Sequence, residues 1–176
     1  IVIDGDAGIV VVNPSAIVLE EYRFRQRQIQ LERERLSRLR HTPAVTLDGE
    51  RIDLLVNIEQ PADAVAALDA GAVGVGLFRT EFMFMNRAGE LPGEDEQFEA
   101  YRAVITAMQG LPVTIRTVDV GADKPLERMS INELRHEHAL NPAMGLRAIR
   151  WSLSEPGMFR QQLRAILRAS AYGKVR

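Results

Sequence analysis

The pattern of apolar and polar positions divides the chain into two textures. Residues 1–3 and 9–12 are β-branched apolar runs on either side of Asp4-Gly5-Asp6-Ala7-Gly8, which predicts a hairpin. Asn13-Pro14-Ser15 interrupts the chain, and Ser15 is placed to cap a helix. Residues 16–40 contain no glycine or proline and are dense in Glu, Gln and Arg, so one long helix is expected, ended by Pro43. Glu21 with Arg25, and Glu34 with Arg38, have the favourable i,i+4 spacing. The apolar residues of this helix form two thin stripes, Ile17/Phe24/Leu31 and Tyr22/Ile29/Leu36. They lie on separate faces, and neither is the broad stripe of a core helix. A connector between two bodies is expected to look like this.

After Thr46 strand and helix signals alternate. Strands are expected at 52–58, 73–78 and 113–118, and helices at 61–69, 94–109 and 159–169. Gly71 and Gly173 are placed as helix stops. Phe98, Tyr101, Val104, Ile105 and Met108 make the buried face of the second helix, and Phe159, Leu163, Ile166 and Leu167 that of the third. Such alternation predicts an α/β fold on a parallel sheet.

Composition narrows the chemistry. With 176 residues and 46% hydrophobic, the chain can bury a core. Its longest apolar runs fall far short of the ~20 residues of a membrane span. A net charge of −2 gives no general reason to expect nucleic acid or an anionic membrane as partner. The absence of cysteine excludes disulfides and thiol chemistry, and a cytoplasmic location is expected. The ends, Ile1 inside an apolar run and Lys174-Val175-Arg176 just past a glycine, read as those of a fragment.

Three arginines stand out. Arg79 and Glu81 close a buried strand at its carboxyl end, where α/β sheets place ligands. Arg79 either grips an anion or pairs with Glu81 or a neighbouring carboxylate. Arg116 shares a strand face with Thr114 and Val118, opposite Val113, Ile115 and Thr117. A guanidinium there is costly unless paired, so Arg116 is an anion clamp or a salt-bridge partner of Asp119 or Asp123. Arg147 follows Asn141-Pro142 among small and apolar residues. It too is either a site residue or a solvated helix arginine. Phe82, Met83, Phe84 and Met85 read as core packing. His136 and His138 beside Glu133 and Glu137 form a charged loop whose solvated reading outweighs metal binding.

Taken together, Gly76-Leu77-Phe78-Arg79-Thr80-Glu81-Phe82-Met83-Phe84-Met85, Ile115-Arg116-Thr117 with Asp119, Gly121 and Asp123-Lys124, and Asn141-Pro142 with Gly145 and Arg147-Ala148-Ile149-Arg150 resemble the phosphoenolpyruvate-binding domain of the Enzyme I family of bacterial sugar phosphotransferases. Residues 162–174 continue the likeness. Gly121-Ala122 stands where the family has a glycine pair, and Asn86 where it has an aspartate. The resemblance implies that 1–15 end a phosphohistidine domain, that 16–45 are a helical linker, and that 46–176 are the first part of a β/α barrel of the TIM type. It also implies phosphoenolpyruvate as substrate, with Arg79, Arg116, Arg147 and Lys124 around its phosphate. Mg²⁺ is the implied cofactor, with its ligands outside these residues, as is the phosphoacceptor histidine. HPr is the implied carrier partner, a homodimer the implied assembly, and the fragment alone is expected to be inactive. Pyruvate phosphate dikinase, phosphoenolpyruvate synthase, and the nitrogen-regulatory or multidomain members of Enzyme I are rival parents. Outside the family, the recurrence of Arg160, Arg164 and Arg168 leaves a basic-helix nucleic-acid module or a dimerisation piece as rivals.

Overall fold

The computed structural model describes residues 1–85, 90–120 and 142–176. The chain forms two compact units, Ile1–Pro43 and Ala44–Arg176.

In the first unit, β1 (Val2–Asp4) and β2 (Ile9–Val11) form the expected antiparallel hairpin, with Ile3 opposite Val10. Gly8 takes φ 66°, a left-handed conformation available to glycine at little steric cost. Helix α1 (Ala16–Ser37) begins at Ser15, whose hydroxyl accepts a hydrogen bond from the Val18 amide at 3.4 Å. It buries none of its residues, as two narrow stripes dictate. Arg25 pairs with Glu21 at 2.5 Å and with Asp4 of the hairpin at 3.6 Å. Glu34 accepts a hydrogen bond from Gln30 at 3.0 Å.

The second unit opens with a short antiparallel pair, β3 (Ala44–Val45) and β4 (Arg51–Ile52). Here the single strand expected at 52–58 is corrected. Ile52 pairs back with Ala44 across the Asp48-Gly49 turn, and only β5 (Val56–Ile58) enters the parallel sheet. Helix α2 (Asp63–Asp69) follows and stops at Gly71, which takes φ 83°. Then come β6 (Val75–Arg79), the one-turn helix α3 (Glu81–Phe84), α4 (Glu94–Ala107) and β7 (Val113–Arg116). Beyond the undescribed stretch lie α5 (Ala148–Ser154) and α6 (Pro156–Ala169).

The sheet order is β5-β6-β7, all parallel, so spatial order follows chain order. On the free edge of β7, residues 174–176 run parallel to it. The Val113 amide donates to Lys174 O, and the Ile115 amide to Arg176 O, each at 2.9 Å. One core holds α2, α4 and α6 against the strands, through Ala64, Tyr101, Val104, Ile105, Ala165 and Ala169 meeting Ile58, Val75, Phe78, Val113 and Ile115. Phe78 and Tyr101 meet edge to face at 5.9 Å. The expected face of α4 is thus realised. An unfinished barrel would leave Val56, Val75, Leu77 and Ile115 half enclosed; Val56 and Leu77 are half-buried, whereas Val75 and Ile115 are buried at 1% and 8% exposure.

The face of α6 departs from expectation. Gln162, Ala165 and Ala169 are its buried residues, while Leu163 and Leu167 are exposed. Small residues let α6 lie close on α4, and a bulky leucine does not fit that seam. Gly173 is extended at φ 168°, so it does not serve as a left-handed stop. A Cβ there would stand 2.7 Å from Ile105 Cγ2, and close approach explains the glycine. A second core gathers Phe84, Val118, Val120 and Trp151, with Met83, Met85, Leu146 and Met158 against it. Three of the four residues from Phe82 to Met85 therefore pack as expected, and Phe82 is exposed.

Candidate anion site at the carboxyl ends of the strands

β6 and β7 end together. Arg79 is the Cα partner of Arg116, one step beyond the pair Phe78 and Ile115. Phe78 and Ile115 point into the core, so the two arginines leave from the opposite face. A strand that alternates between a buried ring and a charged fork delivers its guanidinium to the sheet rim at modest cost.

Each guanidinium is held by carboxylates. Arg79 Nη1 meets Glu59 Oε1 at 2.8 Å, Glu59 following directly on β5. Arg116 Nη2 donates to Glu81 Oε1, and its Nη1 stands 3.5 Å from Asp119. Arg147, at the start of α5, donates from Nε at 3.2 Å and from Nη2 at 3.0 Å to Asp119 Oδ1. Asp119 thus links two arginines that lie far apart in the chain. The next residue, Ala148, has φ 46°, a left-handed conformation that costs a non-glycine residue ~1–2 kcal/mol. Arg116 Nε is buried and has no hydrogen-bond partner among the described residues.

Of the four residues expected around an anion, the structure sets Arg79 and Arg116 side by side and joins Arg116 to Arg147 through Asp119. Lys124 lies outside the described residues, as do Asp123, His136 and His138. Both bland alternatives left open by the sequence are present as contacts: Arg79 pairs with a neighbouring carboxylate, though Glu59 and not Glu81, and Arg116 pairs with Asp119. Arg147 is half-buried rather than solvated.

Sequence reasoning missed what lies under the rim. Thr80, Gln97 and Gln162 are fully buried polar residues beside the buried Tyr101. Thr80 Oγ1 donates to Arg116 O at 2.8 Å, and Gln162 Nε2 donates to Thr80 Oγ1 and to Tyr101 OH, each at 3.2 Å. The Tyr101 hydroxyl donates to Gln97 Oε1 at 3.1 Å, and Gln97 Nε2 to Pro92 O at 2.8 Å. Burial pushes the Tyr101 phenol up to about 12, against a smaller opposing effect of the Gln162 hydrogen bond. A glutamine on an otherwise buried helix face, at 162, is the one signal that pointed to this network.

Among the described residues no group of three or more His, Cys, Asp or Glu side chains is placed to share a metal ion. No described helix is long and apolar enough to cross a membrane. The basic ridge on α6 is largely neutralised: Arg164 meets Glu94 at 2.9 Å, and Arg168 meets Glu94 and Asp95, both at 2.7 Å, while lying 4.2 Å over the Phe98 ring. A ridge tied to acids is a poor surface for phosphate backbones.

Residues 33–176, which hold the arginine rim at the carboxyl ends of the parallel strands, match the family model described as PEP-utilising enzyme, PEP-binding domain. The chain belongs to that family. Over all 176 residues it is 71% identical to the phosphoenolpyruvate-protein phosphotransferase of Cupriavidus necator, covering 30% of that protein. It is 45% identical over 175 residues to the phosphoenolpyruvate-protein phosphotransferase of Staphylococcus carnosus, covering 99% of this chain and 30% of the relative. Over 178 residues it is 46% identical to the multiphosphoryl transfer protein of Rhodobacter capsulatus, covering 21% of that protein. The chain therefore spans less than a third of the length of these relatives.

Proposed function

We propose that this chain is part of a phosphoenolpyruvate-protein phosphotransferase and supplies the first arginines of its phosphoenolpyruvate site. The observation that carries the reading is the pairing of Arg79 with Arg116 at the carboxyl ends of adjacent parallel strands. Phosphoryl transfer asks chiefly for positioning and for neutralisation of charge on the equatorial oxygens. Two planar forks on neighbouring strands suit that task. In this reading Glu59, Glu81 and Asp119 hold the forks in place before the anion arrives, with Arg147 and Lys124 beside them.

The architecture we propose for 46–176 is the opening of a β/α barrel, preceded by a linker at 16–45 and the end of a phosphohistidine domain at 1–15. A parallel sheet in chain order, with α2, α4 and α6 packed in one core, suits a singly wound barrel better than a doubly wound sheet, where helices cover both faces. The acceptor histidine and the magnesium ligands are then supplied by other parts of the parent. When bound, magnesium would add charge neutralisation at the phosphate. The phosphoryl group would pass through the histidine to HPr in sugar uptake, and the parent would work in the cytoplasm as a homodimer. This chain alone would transfer nothing.

The test uses the full-length protein. Arg79→Ala and Arg116→Ala are each expected to weaken phosphoenolpyruvate binding and to abolish most phosphorylation of the acceptor histidine. Binding and labelling equal to the unsubstituted protein in both variants would overturn the reading.

A further inference from the structure

Gln162 lies fully buried on α6, 82 residues from Thr80 in the chain. Its amide nitrogen donates to Thr80 Oγ1, and its amide oxygen accepts from the Val118 amide at 2.9 Å. Thr80 Oγ1 in turn donates to the Arg116 carbonyl. Each contact falls beside a residue of the arginine rim. Thr80 stands between Arg79 and Glu81, Val118 precedes Asp119, and the Arg116 carbonyl belongs to the second arginine itself.

The ladder between β6 and β7 ends at Arg79 and Arg116. Past that point the first chain turns into α3 and the second runs on through Val118 and Asp119, and strand pairing no longer fixes one exit against the other. A single side-chain amide bridges the gap, because it carries a donor and an acceptor on one rigid plane. Glutamate at 162 would still accept from Val118 but would lose the donor and bury a charge. Methionine would fill the volume and supply neither contact.

We infer that Gln162, acting through Thr80, is a positioning residue that sets the separation of Arg79, Arg116 and Asp119 at the phosphate site. The inference rests on the phosphoenolpyruvate reading of Arg79 and Arg116. Gln162 touches no ligand; it holds the exits of two strands in register, and the forks follow.

The experiment compares Thr80→Val, Thr80→Ser, Gln162→Met and Arg116→Ala in the full-length protein, measuring phosphoenolpyruvate dissociation constants, KM against kcat, and thermal melting. Thr80→Val keeps the shape and removes the hydroxyl, and Thr80→Ser keeps the hydroxyl and removes a buried methyl. Thr80→Val and Gln162→Met are expected to weaken phosphoenolpyruvate binding by ~10-fold, as misplaced binding groups do. Thr80→Ser is expected to melt lower yet bind like the parent, so affinity follows the hydroxyl and not stability. If Thr80→Val binds like the parent, or Thr80→Ser weakens binding equally, while Arg116→Ala loses binding, the positioning role is overturned and the substrate reading stands. If Arg116→Ala binds like the parent, both fall. Should Gln162→Met fail to fold, the Thr80 pair decides alone.

Discussion

Arg79 and Arg116 are Cα partners on adjacent strands, yet each guanidinium is held by a glutamate from a different element. Glu59 and Arg79 are both half-exposed, whereas the Glu81 side chain is fully buried beneath Arg116. The two pairs look alike in a list of contacts and differ in what they are worth. An exposed pair is screened and contributes ~0–1 kcal/mol. A buried carboxylate that loses its charge-assisted bond leaves desolvated groups unpaired at ~1–3 kcal/mol. Chemical denaturation should therefore show Glu81→Gln destabilised by ~1–3 kcal/mol and Glu59→Gln changed by less than ~1 kcal/mol. Equal effects would contradict the difference in burial.

Gly74 and Gly76 answer to different neighbours. A Cβ on Gly76 would come within 2.9 Å of Leu55 Cβ and meets no other residue in its three nearest contacts. A Cβ on Gly74 would also strike the Pro112 carbonyl at 2.8 Å, which is backbone and cannot step aside. Gly76→Ala and Gly74→Ala should each cost ~1–3 kcal/mol by overpacking. Adding Leu55→Gly, which removes the Leu55 Cβ, should recover much of the loss at Gly76 and little at Gly74, where the Pro112 carbonyl remains. A double-mutant cycle by urea unfolding measures that contrast.

Tyr101 gives a pH signature. Its phenol is raised from 10.0 to about 12 in the fold, chiefly because burial penalises the phenolate. A folded pKa above the unfolded one means stability is fully present below pH 10 and is lost as pH rises towards 12. Two pH units correspond to ~2–3 kcal/mol. Tyr101→Phe removes this loss and also deprives Gln97 and Gln162 of a partner. The variant should therefore be less stable than the parent at pH 8, with the gap shrinking between pH 10 and 12. Parallel stability curves across that window would show that the phenol does not titrate with unfolding.

In the first unit, the cap at Ser15 is the only side-chain hydrogen bond to the start of α1 among the described residues. The helix buries nothing, so its ends weigh more than in a packed helix. Ser15→Ala should lower the stability of α1 by ~0.5–2 kcal/mol, read as fraying of its first turn in amide exchange.

Much of the second unit was legible because period and punctuation agreed. Tyr101, Val104, Ile105 and Met108 recur at helical spacing and are buried, and Gly71 marks a true stop. The motif stretches located the arginines at strand ends. Their partners were not legible, because Glu59 reaches Arg79 across 20 residues through strand register, which leaves no local trace. Ile52 falls in the short antiparallel pair rather than the parallel sheet because an apolar run does not show where it turns back; the Asp48-Gly49 dipeptide is the turn signal in the sequence that marks the reversal. On α6, ranking positions by hydrophobicity chose Leu163 and Leu167 over Gln162, Ala165 and Ala169. Close packing wants small residues and the polar network wants an amide, and both preferences are invisible to a hydrophobic count.

The sheet adds each strand to the edge left by the one before, from β5 through β6 and β7 to residues 174–176. A chain synthesised from its amino end therefore never has to hold an edge open for a strand far ahead of it. Each newly made strand meets a template already present, and no earlier pairing need be undone to admit it. The separations grow along the series, from Val56 with Val75 to Val113 with Val175, but loop-closure entropy rises only slowly with length, so the later steps cost little more. Vectorial growth of this kind also leaves one growing edge exposed at each stage, and assembly on the ribosome would bring that edge its next strand before a second chain could.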